Sequence, residues 1–142
     1  GKPMFYRATT RKHTTDSEFD VSKLDKLPAV NVVYSYANAT RTAIDAFAAA
    51  GDVGIVHAGT GNGSLSTPVK AALTEARKKG MIVVRSSHTG TGITARNGEA
   101  NDDELDFVAA DNLSPQKARI LLMLGLTKTQ NTKDLQRMFM MY

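Results

Sequence analysis

The chain contains no cysteine, and that absence removes disulfides, a thiol nucleophile and every thiolate-based zinc or iron–sulfur site. It leaves the redox compartment open, because a cysteine-free chain suits reducing and oxidising surroundings alike. No stretch reaches the roughly 18 consecutive apolar residues of a membrane span, and the first residues lack the apolar centre of a signal peptide. Aromatic residues are few, five Phe and four Tyr with no Trp, and they sit mostly in apolar runs. Basic residues form no block longer than Arg11-Lys12-His13 or Arg77-Lys78-Lys79. A nucleic-acid surface needs a basic stripe interleaved with aromatics, so the net charge of +4 reads as a solvated surface. The opening Gly1-Lys2-Pro3 has no start methionine, so the chain is expected to be processed or a piece of something longer.

What is present fits one domain: 142 residues, of which 42% are hydrophobic, are enough for a single buried core. The organising stretch runs from Val53 to Ser66, a β-branched run followed by Gly59, Gly61 and Gly63 and a helix start at Ser66-Thr67-Pro68. In open α/β sheets such a loop lies at the carboxyl end of a strand, where ligands bind. Its glycines match neither G-x-G-x-x-G nor a phosphate loop. A tight turn and a ligand site are therefore both open readings of the loop.

Around it, strand and helix signals alternate. Strands are predicted over 31–36, 53–58 and 81–86, with a shorter one over 105–110, and another short strand at Met4–Thr9 before a polar linker. Asn38-Ala39-Thr40 offers caps for a first helix that Gly51 stops. Val69, Ala72, Leu73 and Ala76 recur at i, i+3, i+4 and i+7 in a second. Ser114-Pro115 caps a helix through Leu121, Leu122 and Leu124 that reads as buried on most sides, and a last helix puts Leu135, Met138, Phe139 and Tyr142 on one face. The spacing is that of right-handed βαβ crossovers, so the expected class is α/β, a flavodoxin-like parallel sheet with helices on both faces. The expected division is a strand and linker over 1–22 and an α/β domain over 23–142.

Residues 87–104 break the pattern, and a loop this long inside a domain is usually functional. It carries Arg96, Glu99, Asp102, Asp103 and Glu104 to the same sheet edge as the glycine loop. Asn101–Glu104 lacks the ligand spacing of a calcium loop, so it reads as a solvated acidic turn and no metal is assigned. His13 and His88 are isolated, and His57, inside a strand, reads as a hydrogen-bonded core residue. No Ser-His-Asp order or Gly-x-Ser-x-Gly elbow supplies a nucleophile.

Six blocks then point one way: Arg11-Lys12-His13-Thr14, Phe19-Asp20-Val21, Val33-Tyr34-Ser35-Tyr36-Ala37-Asn38, Ala58-Gly59-Thr60-Gly61-Asn62-Gly63-Ser64, Val84-Arg85-Ser86-Ser87 and Leu113-Ser114-Pro115-Gln116-Lys117-Ala118-Arg119. In this order they resemble the C-terminal part of bacterial type II L-asparaginases. The resemblance implies the smaller domain of a periplasmic, cofactor-free amidohydrolase that converts L-asparagine, and in some members L-glutamine, to the acid and ammonia. Its threonine nucleophile lies in an N-terminal domain that this chain lacks, so no catalytic residue is expected here and the chain alone is expected to be inactive. Family members are tetramers in which the C-terminal domain completes a neighbour's site. By that resemblance Glu99 holds the substrate's α-ammonium group, Ser64 takes the loop position that is asparagine in strict asparaginases and serine in many glutaminase-asparaginases, and Asn62 lies just before it as a substrate-side or turn-shaping residue. The alternative reading is a free-standing flavodoxin-like module binding an anion or nucleotide at the glycine loop.

Overall fold

The computed structural model describes Met4 and residues 6–142. Four parallel strands, β1 (Val30–Tyr34), β2 (Gly54–Gly59), β3 (Ile82–Ser87) and β4 (Val108–Ala109), lie side by side in chain order. The expected parallel α/β class is observed, and successive loops leave the carboxyl edge of the sheet, the side on which open α/β folds bind their ligands. Register fixes that edge closely, since Gly59 sits opposite Ser87 and the glycine loop and the long polar loop leave from neighbouring positions.

β2 is buried along its whole length, as a central parallel strand covered on both faces must be. On one face Val33, Ile55, Val83 and Phe107 meet α1 (Thr42–Ala49) and α2 (Thr67–Lys78). On the other, Val30, Val56, Val84 and Val108 pack against α4 (Pro115–Gly125) and α5 (Thr132–Met141). The predicted stripe of α2 is borne out residue for residue: Val69, Ala72, Leu73 and Ala76 are its buried positions. β4 is short and would expose an edge, but the Gln136 amide on α5 closes it, accepting from the Ala109 N–H at 2.8 Å and donating to the Ala109 carbonyl at 3.0 Å.

Some boundaries differ from expectation for local reasons. The first helix begins at Thr42 after Arg41, not at a cap among residues 38–40, because Asn38 adopts a left-handed conformation (φ 61°) and spends itself on the turn. The predicted strand over 105–110 contracts to Val108–Ala109, because Asp102–Leu105 forms a helical turn, α3, closed by a left-handed Asp106. The loop over 87–104 is also less structureless than it reads: Thr94 bridges Asp111 in antiparallel fashion. α4 is open on one side, with Ile120 48% exposed above a groove shared with Phe19 and Tyr142. The strand expected over 4–9 involves a residue outside those described, and Tyr6–Thr9 are irregular. The segment that follows is nonetheless tied down. Lys12 donates its N–H to the Met141 carbonyl, the Glu18 N–H donates to the Tyr142 hydroxyl oxygen at 2.7 Å, and the Phe19 and Tyr142 rings meet at a tilt with centroids 4.9 Å apart.

Gly59 is required by space. A Cβ there would stand 2.7 Å from the Gly63 carbonyl carbon and 2.8 Å from the Ser64 carbonyl oxygen, both backbone atoms. Gly59→Ala is expected to push the loop off the strand end and destabilise the domain by about 1–3 kcal/mol. Urea unfolding should show a lower midpoint at unchanged slope; an unchanged midpoint would mean that the loop yields freely.

Candidate functional site

β3 reads Ile82-Val83-Val84-Arg85-Ser86, and its fourth residue points into the protein with no exposed surface. A buried guanidinium needs an acceptor for each of its five N–H groups, and Arg85 has them all. Nε and Nη2 donate to the two carboxylate oxygens of Asp102 at 2.6 and 2.7 Å, a fork-to-fork pair that is also fully buried. Nη1 donates to the carbonyls of Asn62 and Gly63 at 2.8 and 3.2 Å, and Nη2 also to the carbonyl of Ala95 at 3.3 Å. The glycine loop and the long polar loop thus meet on one side chain. Gly63 (φ +72°) lets the backbone come that close, since a Cβ there would lie 3.0 Å from Nη1.

A second tie runs beside the first. The Ala95 N–H donates to Asn62 Oδ1 at 2.7 Å, and the Asn97 N–H donates to Asp102 Oδ2 at 2.8 Å. Arg96 fixes the outer part of the loop to α5, with Nη1 on Gln136 Oε1 at 2.7 Å and Nη2 on Asp103. Above this framework the Ser64 hydroxyl donates to Glu99 Oε1, joining the tips of the two loops across 35 residues of sequence. Ser64 is half-buried and Glu99 exposed, so the junction of the two loop tips is open to solvent.

Of the residues singled out from sequence, Ser64, Asn62 and Glu99 are therefore brought together. The reading of Asp102 as part of a solvated turn is corrected: it has no exposed surface and neutralises Arg85. Asp103 and Glu104 are exposed as expected. His57 is in the core but is not hydrogen-bonded as expected; neither ring nitrogen has a partner. Burial, aided by the positive charge of Arg85 and by His88, holds its pKa down to about 4, so the ring is neutral near pH 7. Sequence reasoning missed Arg85, although a lone arginine within an apolar strand was a signal, since it must find an acid somewhere.

Residues 29–139 match the model of the Glutaminase/Asparaginase C-terminal domain. The chain belongs to this family. It is 51% identical, over its full length, to the glutaminase-asparaginase of Pseudomonas fluorescens biotype A, and 48% identical to L-asparaginase 2 of Escherichia coli K12. It is 44% identical over 95% of its length to a Haemophilus influenzae protein named probable L-asparaginase periplasmic. It spans 40%, 41% and 39% of those three proteins respectively. The resemblance carried by the six blocks is borne out, and this family domain places a serine and a glutamate at the meeting point of two loops clasped by a buried arginine.

Two outcomes follow. Removing the charge of Asp102 leaves the Arg85 guanidinium buried and uncompensated, so Asp102→Asn is expected to cost about 3–5 kcal/mol of stability in denaturant unfolding, while exposed Asp103→Asn has little effect. Equal effects would show that the buried pair is not what holds the loops. His57 has a folded pKa below its ordinary 6.5, so between pH 6.5 and 4 the unfolded chain binds a proton that the folded one refuses. Its contribution is present above pH 6.5 and is lost on acidification toward pH 4, by about 3 kcal/mol at 1.36 kcal/mol per pH unit. His57→Leu should flatten stability against pH over that window; an unchanged profile would assign the acid sensitivity to other groups.

Proposed function

We propose that this chain is the substrate-closing C-terminal domain of an amidohydrolase acting on L-asparagine and L-glutamine, with Glu99 receiving the substrate's α-ammonium group and Ser64 lining the same pocket. The observation that carries this reading is the Ser64–Glu99 hydrogen bond at an exposed loop junction. An exposed carboxylate is the natural partner of an ammonium, and a small hydroxyl beside it suits the polar head of an amino acid. The junction is open to solvent, as half of a site would be. The names of the Pseudomonas and Escherichia relatives support the substrate class.

The nucleophile belongs to an N-terminal domain, to which residues 6–22 form the linker. Identical subunits assemble as a tetramer in which Glu99 serves a neighbour's site, and the enzyme works in the periplasm, as the name of the Haemophilus relative suggests. No cofactor is needed. The anion- or nucleotide-binding alternative is disfavoured by the glutamate at the loop tip, which would repel a phosphate.

The test joins this chain to the N-terminal part of the Pseudomonas fluorescens relative. Ammonia should be released from asparagine and from glutamine by the chimera, and none above the blank by the chain alone; an inactive but folded chimera, or an active lone chain, defeats the reading. In the chimera, Glu99→Gln should lower kcat/KM by about 10–150-fold, the worth of one charge-assisted hydrogen bond, whereas exposed Glu104→Gln should not. Ser64→Asn should shift the glutamine to asparagine ratio of kcat/KM, because about one methylene of room is worth roughly 1–3 kcal/mol. An unmoved ratio would remove Ser64 as a discriminator.

A further inference from the structure

Ser64 and Glu99 lie five and twelve residues beyond the strand ends from which their loops leave, at Gly59 and Ser87. Their own hydrogen bond is exposed, and a bond of that kind competes with water and holds little. The distance between them has to be set elsewhere. Arg85 and Asp102 have no exposed surface, yet between them they grip both loops on the flanks of the pair. Asn62 and Gly63, whose carbonyls Arg85 holds, immediately precede Ser64. Ala95 and Asp102, held by the same guanidinium, bracket Glu99 from either side. Asn62 completes the frame by accepting from the Ala95 N–H.

We infer that Arg85 is the positioning residue for the Ser64–Glu99 pair, and that Asn62 acts with it by bridging the loops rather than by contacting substrate. The inference rests on the amidohydrolase reading. Arginine is needed because two carboxylate oxygens and three backbone carbonyls surround one planar group; a lysine offers three donors from a single point and reaches only some of them. Losing the clasp widens or tilts the gap into which the ammonium fits. Binding lost equally from ground and transition states appears in KM and spares kcat.

The experiment uses the chimera, with Arg85→Lys and Asn62→Ala made singly and each combined with Glu99→Gln. Asn62→Ala removes a bridge at a half-buried position and keeps the core intact, so it carries the test where Arg85→Lys fails to fold. Each single variant is expected to raise KM for asparagine about tenfold while kcat stays within about threefold. In the Glu99→Gln background the same substitutions should add less than about twofold, because a positioning residue has nothing left to position. Penalties that multiply in full, or folded variants with unchanged KM beside a Glu99→Gln enzyme of raised KM, overturn the inference alone. A Glu99→Gln enzyme with unchanged KM and kcat overturns the site reading, and the inference with it.

Discussion

The burial of one arginine is the constraint on which the loop edge of this domain depends. A guanidinium out of contact with water is tolerated only when its charge is matched and its donors are all filled, and Arg85 meets both conditions by drawing in a carboxylate and three carbonyls. Those acceptors come from two loops separated by the whole of α2 and β3. Folding the sheet therefore organises the loops, because β3 cannot bury its fourth residue until residues 62, 63, 95 and 102 are in place around it. The glycines follow from the same demand: Gly63 lets a backbone approach the guanidinium, and Gly59 lets the loop turn back over its own strand.

Periodicity made the scaffold readable. Three β-branched runs, the first two each followed by a helical stripe that stops at a glycine, state the parallel α/β class without any tertiary information, and the stripe of α2 came out complete because its buried positions are all apolar. Short elements near charged residues were not readable in the same way. Leu105 looked like the start of a strand because nothing local says that Asp102 is pulled inward by an arginine 17 residues earlier, which starts a helical turn there. The cap of α1 was misplaced for a related reason, since asparagine serves both as a cap and as a left-handed turn residue and only the surrounding chain chooses.

The site was legible in its residue types and illegible in its mechanics. Ser64 and Glu99 stand out only through resemblance, since an exposed glutamate in a polar loop has no local mark of purpose. The clasp beneath them had a local mark that is easily overlooked: Arg85 interrupts an apolar strand, and its partner had to be one of the acids of the long loop. Local pattern did not select Asp102 among Glu99, Asp102, Asp103 and Glu104. Distance along the chain hid the pair, although physical necessity required one.

The division of labour between the buried and the exposed charges has a physical logic. A carboxylate meant to receive an ammonium must stay open until the ligand arrives, so it cannot itself be the rigid part of the site. Rigidity has to come from groups that are already saturated, and a fully satisfied buried pair provides it because every small displacement breaks several charge-assisted bonds at once. Arg85 and Asp102 are such a pair, and Glu99 is three residues from one of their anchors and four from the other. An open acid suspended between two fixed points is preorganised without being neutralised, which is the condition under which the proposed binding of a cationic head would cost least in ordering.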